Sequence, residues 1–208
     1  MKGLKKMINK GILYVVSGPS GAGKGTVCST FTNKHPECGL SISATTRAPR
    51  PGEKDGVNYH FLTREEFRDT ITKDGFLEYA VFCDNYYGTP KAPVMEMLKN
   101  GQDVILEIEV QGALQVRTHF PEAVFVFVIP PSMEELEARL RGRGTESDEV
   151  IKQRLARAKE EFKLVDKYNY IVLNDTVDNA VEQLEGIMLG ERCRMERNYE
   201  EIKKEFID

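Results

Sequence analysis

Gly18-Pro19-Ser20-Gly21-Ala22-Gly23-Lys24-Gly25-Thr26 follows an apolar run, Ile-Leu-Tyr-Val-Val at 12–16, and precedes a segment of helical character at 27–34 that His35-Pro36 stops. The run reads as a buried parallel strand. Strand, glycine-rich turn, lysine, hydroxyl and helix together make the layout of a phosphate-binding loop. Glycines let consecutive backbone N–H groups converge on an anion without Cβ clashes. The helix that follows adds its positive N-terminal end. Lys24 supplies a full charge for the β- and γ-phosphates, and Thr26 an oxygen for Mg²⁺. Gly25 departs from the simplest spelling, because the hydroxyl arrives one residue after the expected place.

The rest of the chain sets bounds. Its 208 residues suffice for a full core, and length suggests one domain or one with insertions. A net charge of −4 leaves no global basic field for nucleic acid or an anionic membrane, so a polyanionic ligand must be held by local cations. Cys28, Cys38, Cys83 and Cys193 have no metal-like spacing and read as reduced thiols of a cytoplasmic protein. Lys2, Lys5, Lys6 and Lys10 precede an apolar run too short for a signal-peptide core. No run approaches a membrane span. His35, His60 and His119 form no recognisable pair and are given no catalytic role.

Apolar runs alternate with helical patterns, which predicts an α/β fold with a parallel-sheet core flanked by helices. Strands are expected at 12–16, 104–110, 124–129 and 170–173, with a further one near 40–43. Ser132-Met-Glu-Glu135 has capping-box form, with Met133, Leu136 and Leu140 on one face. Ser147 is a second cap, before a stripe of Ile151, Leu155, Ala158 and Phe162. Residues 177–194 read as helix. Met195, Tyr199, Ile202 and Phe206 extend the period, on a face open either to the core or to a partner chain, homo-oligomer included. The segment 43–93 differs. Its polar turns, its capping box at Thr63-Arg-Glu-Glu66 and its scattered aromatics suggest short antiparallel strands and one helix, inserted as a small second lobe.

With these residues set out, the chain resembles the guanylate kinases, a family of P-loop kinases that phosphorylate GMP with ATP. The resemblance spans roughly residues 10–190. It rests on GPSGAGKGT, SATTRAPRPGEKDGVNYHF, FLEYAVFCDNYYGTP, LEIEVQG, LRGRGTES and IVLND. The GKGT spelling is itself familiar from nucleoside monophosphate kinases. The resemblance implies core segments at 1–42, 94–133 and 164–208, a GMP-binding lobe at 43–93 and a helical lid at 134–163.

It also implies site residues. Gly18, Pro19, Ser20, Gly21, Ala22, Gly23, Lys24, Gly25 and Thr26, with Arg139 and Asn174, fall on ATP-binding positions. Asp175 lies beside Asn174 in the same polar turn. Ser43, Arg47, Arg50, Tyr59, Glu78, Tyr87, Thr89 and Glu109 fall on positions that contact GMP. The chemistry agrees. Arg47 and Arg50 offer paired N–H forks to a 5′-phosphate. Tyr59 and Tyr87 offer O–H donors. Glu78 and Glu109, as acceptors only, suit the N1–H and exocyclic amine of guanine and would face a bare ring nitrogen in adenine. Glu107 and Glu109 are two apart on the expected strand and so share a side. A strand after a P-loop strand often ends in an acid that holds Mg²⁺, which makes Glu107 the second metal candidate beside Thr26.

In the lid, Arg143 and Arg154 are the candidates for neutralising the transferring phosphoryl group, with Lys24 and Arg47 as their catalytic partners. Arg141 and Arg157 read as parts of an exposed helix face. Because the acceptor is already a charged phosphate oxygen, catalysis should be positioning plus electrostatics, with no strong general base. The implied substrates are ATP and GMP, with dGMP as a second acceptor, and the implied role is purine nucleotide recycling. Two other readings remain open: a non-catalytic module of the same fold that binds protein partners, and a P-loop kinase acting on another small phosphorylated acceptor.

Overall fold

The computed structural model describes residues 10–82, 84–142 and 147–208. In chain order the strands are β1 (Leu13–Ser17), β2 (Gly39–Leu40), β3 (Ala44–Thr45), β4 (His60–Phe61), β5 (Phe76–Phe82), β6 (Asn85–Pro90), β7 (Val104–Glu107), β8 (Val124–Ile129) and β9 (Tyr170–Leu173). The helices are α1 (Lys24–Lys34), α2 (Arg64–Thr72), α3 (Lys91–Lys99), α4 (Val110–His119), α5 (Met133–Arg141), α6 (Asp148–Phe162), α7 (Val177–Arg192) and α8 (Met195–Phe206).

Every residue of β1 is buried, because it is the central strand of a sheet covered on both faces. The order is β2-β7-β1-β8-β9, parallel throughout. Successive side chains of β1 take opposite faces. Tyr14 and Val16 join Val27, Phe31, Val181 and Leu184 in the layer under α1 and α7. Leu13 and Val15 join Val94, Ala113 and Val116 in the layer under α3 and α4. Each fully buried aliphatic side chain contributes about 1.5–3 kcal/mol, so two such layers account for the rigidity of the strand that carries the glycine loop.

The strands at 124–129 and 170–173 form as expected, and the first strand is shifted by one residue. The strand expected near 40–43 is the short β2, and other boundaries differ too. The strand expected at 104–110 ends at Glu107, and Val110 already belongs to α4. Val110, Ala113 and Val116 are buried at helical spacing, so the apolar run changes period without any glycine or proline to mark the change. The helix expected from residue 27 begins at Lys24, because Gly23 turns the chain into it with a left-handed conformation, φ 91°.

A second sheet, β4-β3-β6-β5, carries the inserted lobe. It is mixed rather than antiparallel throughout, since β3 pairs with β4 in parallel. The Thr63–Glu66 capping box forms reciprocally at α2. On that helix Phe67 stacks on Phe76 and on Tyr86, with ring centroids 4.3 and 5.2 Å away. Ser132 and Ser147 cap α5 and α6, whose Leu136, Leu140, Ile151 and Ala158 form their own small core. Each cap is worth about 1 kcal/mol.

The helix expected over 177–194 stops at Arg192, and α8 follows as a separate element. Fully buried Glu191 holds this junction. It accepts from the Tyr170 hydroxyl at 2.6 Å and pairs with Arg194 and Arg197. Burial alone would raise its pKa, but the hydrogen bonds from Tyr170 and Arg197 bring it below the ordinary value. Among the described residues no helix is long and apolar enough to cross a membrane. Cys28, Cys38 and Cys193 are free thiols, and Cys83 lies outside the described residues.

Candidate active site

The C-terminal ends of β1 and β7 open onto the glycine loop, the usual place for a ligand in a parallel α/β sheet. Gly18 (φ 143°), Gly21 (φ 97°) and Gly23 (φ 91°) all lie in the region that disfavours side chains. Gly18 also passes so close to β8 that a Cβ would stand 2.3 Å from the Val128 carbonyl oxygen. α1 then starts with no side-chain cap and no acidic residue in its first turn. Its first N–H groups therefore have no side-chain acceptor at the cap, in a fold where Thr63, Ser132, Ser147 and Thr176 cap four other helices. This pattern suits an anion.

Lys24 is buried at the mouth of the loop. Its Nζ donates to the Gly18 carbonyl at 2.7 Å and lies 3.9 Å from Glu109 Oε1. Thr26 is exposed beside it. Asn174 is buried and donates from Nδ2 to the Ala22 carbonyl at 2.7 Å, bracing the loop from below. Asp175 accepts from the Thr176 amide and from Asn179, so it serves the start of α7. Arg139 reaches back from α5. It pairs with Glu135 at 2.8 Å and donates to the Asn174 carbonyl at 3.0 Å. Arg154, on α6, donates to the Ser20 hydroxyl at 3.4 Å and so links that helix to the loop. Arg141 pairs with Glu137 and Asp148 on the outside. Arg143 lies outside the described residues.

Glu107 and Glu109 do not share a strand, which corrects the geometry expected for them. Glu107 ends β7, and Glu109 is the N-cap residue of α4. Both nevertheless stand near Lys24. The Glu107 carboxylate opens to the cleft but is crowded by surrounding protein. That crowding raises its pKa, against the opposing charge of Lys24 and with a further contribution from Glu109. Arg157, read from the sequence as part of an exposed helix face, has a 38% exposed side chain and also donates to Glu109 Oε2 at 3.4 Å while pairing with Glu161 at 2.9 Å. Helical periodicity placed it outside. The start of α4 is the neighbour that periodicity could not supply.

The second group of residues lines the small sheet. Glu78 on β5 is 7% exposed and accepts from the Thr89 hydroxyl at 2.7 Å across the β5–β6 pair. Burial raises its pKa, and the Thr89 hydrogen bond partly offsets this. Arg47 makes a two-pronged contact with Glu53, at 3.0 and 2.9 Å, and lies 5.4 Å over the Tyr59 ring. Glu53 also accepts from the Arg50 amide at 2.7 Å. A carboxylate thus occupies the fork that matches a phosphate in shape. Glu53 was not among the residues singled out. An acid three residues past Arg50 across a Pro-Gly turn carries no distinctive spacing. Tyr59 meets Tyr87 edge-on at 6.1 Å, Arg50 is exposed and Ser43 is half-buried.

A magnesium ion fits the residues at the loop. An exposed Thr26 hydroxyl and the Glu107 carboxylate are hard oxygen donors flanking Gly25. Mg²⁺ is ordinarily held by one or two such groups plus substrate phosphates, so a cage of protein ligands is not required. Among the described residues there is no cluster of three or more acidic, histidine or cysteine side chains for such a cage.

A family model described as guanylate kinase matches residues 10–191. The guanylate kinase of Caldanaerobacter subterraneus subsp. tengcongensis is 54% identical over 201 residues, covering 95% of this chain and 98% of that protein. The guanylate kinase of Desulfitobacterium hafniense (strain Y51) is 54% identical over 189 residues, covering 91% and 94%. The crystal structure of guanylate kinase from Anaplasma phagocytophilum superposes with a TM-score of 0.77 at 29% identity, over 96% of this chain and 98% of that one.

Proposed function

The chain belongs to the guanylate kinase family and is an ATP:GMP phosphotransferase, and from that premise we propose how its residues divide the work. The loop 18–26 and Lys24 hold the ATP phosphates. Arg139 and Asn174 shape the nucleotide side of the loop. Arg47, Arg50, Tyr59 and Tyr87 take the GMP phosphate, with Ser43 beside them. Glu78, set by Thr89, accepts from guanine together with Glu109. Arg154, on α6, neutralises the transferring group, a role that the family resemblance also gives to Arg143.

The observation that carries this reading is the start of α1. It has Gly23 at φ 91°, no side-chain cap and no acidic first turn, and Lys24 stands beside it. Amide dipoles and a buried cation there stabilise negative charge in a site of low dielectric, where such interactions are strongest. The remaining barrier is repulsion between two polyanions. Arg47 and Arg154 lower it by neutralising one partner each, and closure of the lobe 43–93 and the lid 134–163 keeps water from taking the phosphoryl group. Magnesium, held by Thr26 and Glu107, supplies further charge neutralisation at the phosphates.

dGMP is a second acceptor, because none of the assigned side chains is needed at the ribose. The activity belongs to purine nucleotide recycling in the cytoplasm, with no nucleic-acid or membrane partner. The exposed Met195, Tyr199 and Phe206 on α8 leave a face for a homo-oligomer. The test is a coupled ADP-release assay with ATP against GMP, dGMP, AMP, CMP and UMP, with and without magnesium. Turnover confined to GMP and dGMP, and lost on chelation, is expected. Equal turnover of AMP would overturn the guanine assignment.

A further inference from the structure

Gly112 is buried in the first turn of α4. A glycine inside a helix costs about 1 kcal/mol relative to alanine, so its presence calls for a reason. The glycines of α7 offer a contrast, since a Cβ on Gly186 or Gly190 would meet nothing within 4 Å. A Cβ on Gly112 would stand 2.4 Å from Glu78 Oε2, 3.0 Å from its Cδ and 3.3 Å from its Cγ. The Glu78 carboxylate is therefore held between two walls. Thr89 Oγ1 donates to Oε1 at 2.7 Å, and Oε2 lies against the bare backbone of α4.

We propose that Gly112 is a specificity-determining position: by having no side chain it fixes how far the Glu78 carboxylate reaches toward the acceptor base. The proposal rests on the assignment of Glu78 as the guanine-reading group. Glu78 is nearly buried, so it cannot step aside into solvent. A methyl group at residue 112 must move either that carboxylate or the whole helix. The carboxylate is the softer element, being the far end of a side chain that Thr89 holds through its hydroxyl and its backbone.

The experiment is a double-mutant cycle on the full chain with Gly112→Ala and Glu78→Gln, reading kcat, KM for GMP, KM for ATP and Tm. Gly112→Ala should raise KM for GMP roughly tenfold to a hundredfold, the scale of hydrogen bonds to a charged group. KM for ATP should be unchanged, and Tm held or raised by the gain in helix propensity. The double variant should be no worse toward GMP than Glu78→Gln alone. If Glu78→Gln leaves GMP untouched, the guanine assignment falls. If Glu78→Gln raises KM for GMP and Gly112→Ala does not, or if the two losses multiply, the assignment survives and the role given to Gly112 is overturned. Should Gly112→Ala fold poorly, adding Glu78→Ala removes the opposing group. Recovery of Tm then supports the contact, and no recovery overturns it.

Discussion

The loop after β1 and the small sheet of the inserted lobe face one cleft, yet they are built on opposite principles. In the proposed reading the loop recognises charge with backbone. Three glycines at positive φ and an uncapped helix start give a cradle whose shape is fixed by main-chain conformation. In the same reading the lobe recognises with side chains. Arg47, Glu78, Tyr59 and Tyr87 each depend on a neighbour for orientation: Arg47 on Glu53, Glu78 on Thr89, and the two tyrosines on each other. A backbone cradle suits phosphates, which every nucleoside triphosphate shares. Side chains suit the acceptor, whose phosphate falls to Arg47, Tyr59 and Tyr87 and whose base falls to Glu78 in the proposed reading. Loss of the loop's buried cation should therefore abolish chemistry, and substitutions in the lobe should weaken the hold on the acceptor.

The largest effect falls on Lys24. Replacing it with alanine removes the buried lysine at the loop mouth and should lower kcat on the order of a thousandfold or more. GMP affinity measured by calorimetry should barely change, because the lobe is untouched. A variant that turns over normally, or that loses GMP binding as severely as turnover, would break the division between the two regions.

Glu78→Gln comes next, with the opposite signature. GMP should bind roughly tenfold to a hundredfold more weakly, while ATP binding is preserved. The same substitution has a stability consequence. Burial raises the pKa of Glu78 in the folded protein, so the native state binds a proton more readily than the unfolded chain. The charged side chain thus costs stability above its raised pKa. That cost shrinks as the pH falls through the raised pKa toward the ordinary glutamate value, below which both states are protonated. Glu78→Gln should accordingly raise Tm near neutral pH, and the gain should vanish in acid. A Tm difference independent of pH would remove burial as the cause. Recognition of the base and stability of the lobe would then not be opposed.

Glu53→Gln should be milder. The Arg47–Glu53 pair is partly exposed, so its loss should raise KM for GMP by roughly fivefold at most. The carboxylate holds the guanidinium over the Tyr59 ring. Tighter GMP binding in the variant would mean that Glu53 competes with the substrate phosphate instead of orienting its receptor.

The two regions also differed in what the amino-acid sequence disclosed. Backbone requirements leave glycines at fixed offsets, and fully covered strands leave apolar runs, so the loop, β1, β8 and β9 could be read directly. Caps at Thr63, Ser132 and Ser147 were legible for the same reason, since a hydroxyl before a helical stripe has one local function. Side-chain partnerships across the fold leave no such mark. The Thr89–Glu78 contact joins residues of facing strands, and the Arg157–Glu109 contact joins two helices. Without a family resemblance to align them, the lobe residues were isolated polar groups. α4 escaped because the apolar run of β7 passes through Ile108 to Val110, and only the change of period at Glu109 separates strand from helix.

The smallest effect tests what makes the loop a cradle. If the number of glycines mattered, replacing any of them would be equally harmful. The geometry says otherwise. Gly23 has φ 91°, and its Cβ would stand 2.3 Å from Asn174 Nδ2, so Gly23→Ala must strain the backbone and push away the amide that braces Ala22. Gly25 is already helical, and its Cβ would lie 3.4 Å from Glu107 Oε2, an ordinary contact. Gly25→Ala should therefore fold well and gain up to about 1 kcal/mol of helix propensity, a rise in Tm of roughly 2–4 °C for a chain of this size. Its turnover should fall by less than about tenfold, through the carboxylate that the new methyl touches, with a higher magnesium requirement as the accompanying sign. Gly23→Ala should lose both Tm and turnover. Matching losses of Tm in the two variants would mean that the anion site depends on loop flexibility. A gain at residue 25 beside a loss at residue 23 places its origin in the left-handed turn that aims the amides of α1.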